Sequence, residues 1–421
     1  MKTRIAFISD HASPIAALGG VDTGGQNVYV GELAYQLARK GYEVDIFTRW
    51  EHAQLPQVVQ WRNGVRVVHI KAGPVECIPK EQLLPYMADF RENMLAFMRN
   101  EQIQYDLIHA NFFMSALVAL ELKAILHVPF VVTFHALGHV RRIHQGEQDK
   151  FPPERLDIES SAIKLADYII AECPQDREDL IKYYNAPPDK IRVVPCGVNT
   201  EEMFPVDQRL ARMKLKLPQD DFVLLQLGRM VQRKGVDNVI RALTKLRYTG
   251  TRIRLIIVGG EDEVCGLGYN PEIARLKQLA KELGVQHCVT FAGRKGREEL
   301  KYYYAAADIF ITTPWYEPFG ITPLEAMACG TAVIGADVGG IKYSILDGKT
   351  GLLVPPKDPQ ALADKINELL MRRPVLEEMG RNGIKRVQAL FTWERVAQLM
   401  SRLYDKAIAS NDIALSGTMS L

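Results

Sequence analysis

What the sequence lacks narrows it first. No Asp-x-Asp occurs in its 421 residues, so the carboxylate pair that commonly holds a divalent cation on a nucleotide diphosphate is missing, and fixed cations would have to stand in for the metal. There is no Gly-x-x-x-x-Gly-Lys-Ser/Thr, no Gly-x-Gly-x-x-Gly and no Gly-x-Ser-x-Gly, which leaves out a P-loop, a dinucleotide fingerprint and a hydrolase nucleophile elbow. The 52 basic and 50 acidic residues leave a net charge of +2, without the field a nucleic-acid binder or membrane-surface protein uses. No apolar run reaches the ~18 residues needed to span a bilayer. The first ten residues run straight into a strand pattern rather than a signal peptide, so the expected location is the cytoplasm. The six cysteines form no Cys-x-x-Cys pair and have no His at zinc-ligand spacing; reduced thiols are the expectation.

An apolar fraction of 47% with 24% charged residues is that of a globular protein, and the length calls for two domains. Short β-branched runs alternate with amphipathic stretches, the pattern of βα units in a parallel sheet. The first series of strands is Ile5–Ser9, Val44–Thr48, Val65–Ile70, Leu107–Ala110, Phe130–His135, Tyr168–Glu172 and Ile191–Pro195. A second series follows at Phe222–Gly228, Ile253–Gly259, Val289–Gly293, Ile309–Thr313, Ala332–Gly335 and Gly351–Val354. Several runs are continuously apolar, as in strands covered on both faces. The expected fold is therefore α/β, with two Rossmann-like doubly wound domains facing a central cleft. Their limits are placed at residues 1–205 and 206–390. Residues 391–421 supply a last helix that packs back on the first domain through Val396, Leu399, Met400, Leu403 and Tyr404, and a tail fraying from Asn411.

Three motifs follow strand ends. In Gly19-Gly20-Val21-Asp22-Thr23-Gly24-Gly25-Gln26, glycines admit a ligand close to the backbone, and the helix that follows presents free N–H groups to an anion; a tight strand-to-helix turn is the plainer alternative. Leu227-Gly228-Arg229-Met230-Val231-Gln232-Arg233-Lys234-Gly235 ends the first strand of the second series. Arg229 and Lys234 there suit a diphosphate that gains charge as it leaves, or are solvated loop cations. In Glu317-Pro318-Phe319-Gly320-Ile321-Thr322-Pro323-Leu324-Glu325, Thr322 and Glu325 spell a capping box, so Glu325 has a structural reading as well as a functional one. Glu317 has no such duty. Gly330, Gly339-Gly340 and Asp347-Gly348 read as turns. His135 ends a strand, and Lys80, Arg141, Arg142 and Arg155 are cations that could meet a phosphorylated acceptor or be surface charge.

Together, Gly24-Gly25-Gln26, Arg229 with Lys234, and Glu317 with Glu325 in Glu-Pro-Phe-Gly-Ile-Thr-Pro-Leu-Glu-Ala-Met-Ala-Cys-Gly resemble the retaining glycosyltransferases of GT-B fold and family 4 type. That family includes sucrose synthase, sucrose-phosphate synthase and the inositol-phosphate glycosyltransferase of mycothiol synthesis. The resemblance implies that Arg229 and Lys234 bind the donor diphosphate, that Gly24 and Gly25 belong to the donor site, and that Arg294 lies against the uracil. It implies that Glu317, with backbone groups of Phe319 and Gly320, grips the donor sugar hydroxyls, that Ile321 and Thr322 belong to the donor site, that Glu325 holds the ribose, and that His135 contacts the transferred sugar. His135, Arg229, Lys234 and Glu317 are the implied catalytic set; Gly25, Gln26, Lys80, Phe112, Arg141, Arg142 and Arg155 are the acceptor set. The implied reaction moves glucose from UDP-glucose to fructose 6-phosphate with retention of configuration, without a cofactor or metal. The implied partners are a nucleotide sugar and a small phosphorylated sugar. The residue after the glycine pair favours the sucrose-forming branch; an inositol phosphate or other polyol acceptor is the alternative, and a sugar-nucleotide epimerase is the reading from another class.

Overall fold

The computed structural model describes residues 2–15, 24–247, 250–260 and 270–418, with side chains to residue 413. Gly19, Gly20, Val21, Asp22 and Thr23 of the first glycine motif lie outside the described residues.

The chain separates into two compact units. One comprises residues 1–16 and 25–195 with 393–421; the other comprises residues 17–24 with 196–392. The limits expected from the sequence alone were 205 and 390.

In the first unit the strands are β1 (Arg4–Ile8), β2 (Glu43–Arg49), β3 (Val58–Arg62), β4 (Val65–Ile70), β5 (Leu107–Asn111), β6 (Phe130–Thr133), β7 (Tyr168–Ala171) and β8 (Ile191–Val193). They lie in the order β3-β4-β2-β1-β5-β6-β7-β8. Every pairing is parallel except β3 with β4. Phe7 sits between Ile46 and His109 in register. The centre is buried on both faces, which is why the strands read as continuous apolar runs. The β3 edge strand is not among the expected elements. Its signal is Asn63-Gly64 between two β-branched runs, a two-residue hairpin whose Gly64 has φ 76°.

In the second unit, β9 (Phe222–Leu227), β10 (Ile253–Val258), β11 (Val289–Gly293), β12 (Ile309–Thr312), β13 (Ala332–Ala336) and β14 (Gly351–Val354) form an all-parallel sheet ordered β11-β10-β9-β12-β13-β14. Both sheets begin in the middle and reverse direction, between β1 and β5 in one and between β9 and β12 in the other. In open parallel sheets ligands bind at the strands' carboxyl ends beside such a reversal.

The helix Trp393–Thr418 belongs to the first unit. Val396, Met400, Leu403 and Tyr404 are buried, and the Tyr404 hydroxyl lies 2.6 Å from His109 Nδ1. The helix continues through Asn411, where fraying was expected, because Asn411 donates to the His127 carbonyl at 3.0 Å. Cys173, Cys196 and Cys329 are buried free thiols and Cys288 is a half-buried one. Cys77 is disulfide-bonded, so the expectation of reduced thiols fails there. Among the described residues no helix is long and apolar enough to cross a membrane.

Candidate functional site

The carboxyl ends of β1, β5, β6 and β7 carry a connected polar group. Gln26, in the first turn of the helix Gly25–Arg39, donates to Ser9 Oγ and to the Asn111 carbonyl, both at 3.3 Å. Asn111 Oδ1 is 3.1 Å from His135 Nε2, and His135 Nδ1 is 3.1 Å from Glu172 Oε1. The Tyr29 ring closes edge-on against the imidazole, centroids 4.7 Å apart. His135 has φ 58°, an uncommon conformation for a residue with a side chain; it is held there by partners on both ring nitrogens. Asp176 accepts the Glu172 N–H at 3.0 Å. Burial, and then the Glu172 charge, push the Asp176 carboxyl up to about 8.

Beneath this group lies His109, fully buried, with Nε2 2.9 Å from Thr133 Oγ1. Burial, helped by the nearby His135, pushes its imidazole down to about 3, so His109 is neutral at physiological pH.

Three of the expected acceptor residues, Arg155, Phe112 and Arg141, fall into a second cluster. Arg155 is 1% exposed and lies over Phe112, Phe113 and Phe151 at 4.8–4.9 Å. Its Nε donates to Glu159 at 2.8 Å, and another donor takes the Ala136 carbonyl. Its Nη1 is buried and has no hydrogen-bond partner. Glu159 also accepts from the Gly138 N–H and from the Tyr184 hydroxyl, so the ion pair carries no net charge while one guanidinium edge stays unsatisfied. Phe112 has φ 86° and packs edge-on against His11 at 4.8 Å. Arg141 is paired with Asp149 at 3.0 Å and lies over Phe151. Arg142 is exposed, and Lys80 pairs with Glu81 at 3.5 Å. Among the described residues Arg142 makes no hydrogen bond to the Arg155 cluster.

In the second unit the loops after β9 and β12 are laced together. The Trp315 N–H donates to the Arg233 carbonyl at 2.8 Å, and Thr313 Oγ1 donates to the Gly235 carbonyl at 3.0 Å. Gly235 has φ 65°, and a Cβ there would stand 2.0 Å from the Thr313 carbonyl oxygen, so only glycine permits this approach. The result is that Lys234 donates to Glu317, with Arg233 3.6 Å from the same carboxylate. Burial, with Arg233 and Arg229 adding to it against the pull of Glu317, brings the Lys234 amine down to about 8. Burial alone would raise the Glu317 carboxyl, but Lys234, Arg233 and Arg229 hold it below the ordinary value. Gly24, grouped with this unit, faces Arg229: a Cβ on it would be 3.5 Å from the Arg229 Nε.

Glu317 is held from a second side that the sequence reading missed. Gly339 and Gly340 open the helix Gly339–Ser344 rather than a free turn. A Cβ on Gly339 would stand 1.9 Å from the Glu317 carbonyl oxygen, and one on Gly340 2.3 Å from the Phe319 Cα. The Gly340 N–H donates to the Glu317 carbonyl at 3.2 Å. Phe319 is buried, and Gly320 has φ 88°.

The capping box at Thr322 and Glu325 does not form. Thr322 is already the first residue of the helix Thr322–Ala328, and the residue before it, Ile321, gives no side-chain cap. The Glu325 carboxylate, 3% exposed, instead takes Arg297 Nη1 at 3.1 Å and the Tyr304 hydroxyl at 2.8 Å. Arg294 is half-buried just past the end of β11. Among the described residues no group of three or more His, Cys, Asp or Glu is placed to hold a metal ion.

Asn111, Glu172, Arg297 and Tyr304 are among the polar side chains that sequence reasoning passed over. Asn111 and Glu172 had a usable signal, a polar residue closing a buried apolar strand; Arg297 and Tyr304 had none.

Comparison with known proteins supplies the remaining facts. Residues 207–386 match the family Glycosyl transferases group 1 and residues 23–202 match Glycosyltransferase Family 4. The D-inositol 3-phosphate glycosyltransferase of Corynebacterium jeikeium (strain K411) is 37% identical over 96% of both chains. The solved structure of a sucrose-phosphate synthase from Thermosynechococcus elongatus superposes with TM-score 0.90 at 36% identity, covering 97% of this chain and 100% of that one. Anabaena HepE in complex with UDP and glucose shares the fold, with TM-score 0.76 at 21% identity over 96% of this chain and 100% of that one.

Proposed function

The chain belongs to the glycosyltransferases of group 1 and family 4, and on that premise we propose that it moves glucose from UDP-glucose to fructose 6-phosphate, releasing UDP and sucrose 6-phosphate. In this reaction the bond between the glucose C1 and the β-phosphate oxygen breaks, and C1 bonds to the C2 hydroxyl oxygen of the acceptor. The hydroxyl proton passes to the departing diphosphate, and the configuration at C1 is retained.

The observation that carries the acceptor reading is Arg155. A buried donor without a partner costs about 1–3 kcal/mol, and a phosphate oxygen is the strongest partner a guanidinium edge can take. The 36% identity to a sucrose-phosphate synthase along 97% of the chain and the placement of Gln26 beside Asn111 and His135 support the same acceptor. On the donor side, Lys234 and Arg229 would steady the departing diphosphate in place of a metal, Glu317 would hold the sugar hydroxyls, and Glu325 the ribose.

The second reading, an inositol phosphate acceptor, is favoured by the 37% identity to a D-inositol 3-phosphate glycosyltransferase. It uses the same phosphate contact and differs in the ring recognised. Incubation with UDP-glucose or ADP-glucose and a panel of sugar and polyol phosphates, with nucleotide release followed and the product identified, decides between them. Release that depends on fructose 6-phosphate and yields sucrose 6-phosphate is expected. Release with inositol phosphate alone would replace the acceptor, and sugar release without any acceptor would replace the reaction.

A further inference from the structure

Glu325 is gripped from a single helix. Arg297 opens the helix Arg297–Ala306 and Tyr304 stands seven residues on, two turns along the same face. Arg297 Nη1 takes Oε1 at 3.1 Å, and the Tyr304 hydroxyl takes Oε2 at 2.8 Å. Arg297 is itself fixed, because its Nε donates to Glu202; one planar guanidinium thus bridges two carboxylates in different directions, which an ammonium on a flexible stem does not reproduce. The Tyr304 main chain is anchored too, its carbonyl accepting from Thr331 Oγ1 at 2.7 Å.

A buried carboxylate stays ionised only if it is paired and hydrogen-bonded. An ionised carboxylate has about four acceptor positions. Arg297 and Tyr304 occupy one on each oxygen of Glu325, so each oxygen keeps a further acceptor position. Two parallel acceptors suit a vicinal diol.

We infer that Arg297 is a positioning residue for nucleotide recognition: with Tyr304 it holds the Glu325 carboxylate turned so that both oxygens accept from the ribose hydroxyls. This rests on the reading that Glu325 takes the ribose. It makes Arg297 a determinant of ribose over deoxyribose, although Arg297 itself need not touch the nucleotide.

The test measures binding of UDP and of 2′-deoxy-UDP to the full-length protein by calorimetry, for wild type, Glu325→Gln, Arg297→Met and Arg297→Lys, with thermal unfolding recorded for each. A hydrogen bond to a charged acceptor sets the expected wild-type preference for UDP at about tenfold or more. Glu325→Gln should bring that ratio close to one. Arg297→Met should lower it severalfold by weakening UDP more than 2′-deoxy-UDP, which has only the 3′-hydroxyl to lose, and Arg297→Lys should fall between Arg297→Met and wild type. Should Arg297→Met fail to fold, Arg297→Lys alone carries the comparison. A ratio unchanged in the Arg297 variants but lost in Glu325→Gln overturns the positioning role, as does an equal loss for both nucleotides. A ratio unchanged in Glu325→Gln overturns the ribose reading itself.

Discussion

Lys234 donates a hydrogen bond to the carboxylate of Glu317, so the cation assigned to the diphosphate and the carboxylate assigned to the sugar neutralise each other before either meets a ligand. The pair is half-buried, with Arg233 as a second cation beside the same carboxylate. An arriving diphosphate brings charge that competes with Glu317 for Lys234. The site therefore has an anion of its own that the ligand must outbid electrostatically.

Proton uptake should accompany this exchange. The Lys234 amine stands at about 8 in the unliganded protein, and an adjacent diphosphate favours its charged form and raises it. Where the complex holds a proton more tightly than the free protein, affinity falls as pH rises through the free value. UDP should bind with little proton uptake at pH 6.5 and with an uptake approaching one proton near pH 9. Calorimetry in two buffers of different ionisation enthalpy measures it. Lys234→Arg should abolish the uptake, and persistence of the uptake in that variant would assign it to another group.

Removing the cations should slow turnover itself. On the proposed reading, Arg229→Ala and Lys234→Ala would each take away charge that steadies the leaving diphosphate, an effect of order 10²-fold or more in kcat. Steady-state rates at saturating donor give the answer, and near-normal kcat in either variant would remove that residue from the assignment.

At Arg155 the phosphate of the acceptor should be separable from the rest of it. Arg155→Met would leave Glu159 buried without its cation, a change worth ~3–5 kcal/mol of stability, so Arg155→Lys is the sharper probe. It keeps the charge and loses the planar edge. KM for fructose 6-phosphate should rise about tenfold, while kcat/KM measured with free fructose as acceptor should stay within twofold of the wild-type value. Equal losses with both acceptors would mean that Arg155 only holds the fold.

The sequence carried the fold well because both sheets are buried parallel sheets, whose strands are continuous apolar runs bounded by glycine and polar residues. It failed at β3, a half-exposed edge strand without such a run, and at the chain's last turns, where tertiary contact of Asn411 overrides composition. The Lys234–Glu317 cluster drew notice in the sequence because its two segments are each contiguous: Arg229 to Gly235 and Glu317 to Glu325 each lie within nine residues. The partners of Glu317 and Glu325 did not. Gly339 and Arg297 come to them from other loops and helices, and a capping-box spacing at Thr322 and Glu325 pointed to a local bond that the Arg297 and Tyr304 contacts displace.

Acid should weaken the first unit through His109. Its folded value of about 3 lies below the unfolded value near 6.5, so on acidification the unfolded chain takes the proton first. The contribution is complete above pH 6.5 and declines by up to ~1.4 kcal/mol per unit as pH falls toward 3. Denaturant unfolding at pH 7, 6 and 5 should show this slope, and His109→Gln, which retains one donor and one acceptor, should flatten it. An unchanged slope in that variant would place the acid sensitivity elsewhere.

Asp176 should act in the opposite sense. Its folded value of about 8 lies above the model-compound value of 3.8, so the folded chain holds a proton that the unfolded chain has released. Stability associated with this residue is complete below pH 3.8 and is lost as pH rises through 8. The carboxyl needs only an acceptor oxygen for the Glu172 N–H, and the asparagine amide supplies one without any charge beside Glu172. Asp176→Asn should therefore leave stability near pH 4 almost unchanged and raise it by a few kcal/mol at pH 8. Glu172 would keep its contact with His135, so turnover at pH 7 should stay within a few-fold of wild type. Paired denaturant curves at the two pH values decide the matter: an equal change at both would show that Asp176 is held ionised, and that its proximity to Glu172 is tolerated rather than relieved by a proton.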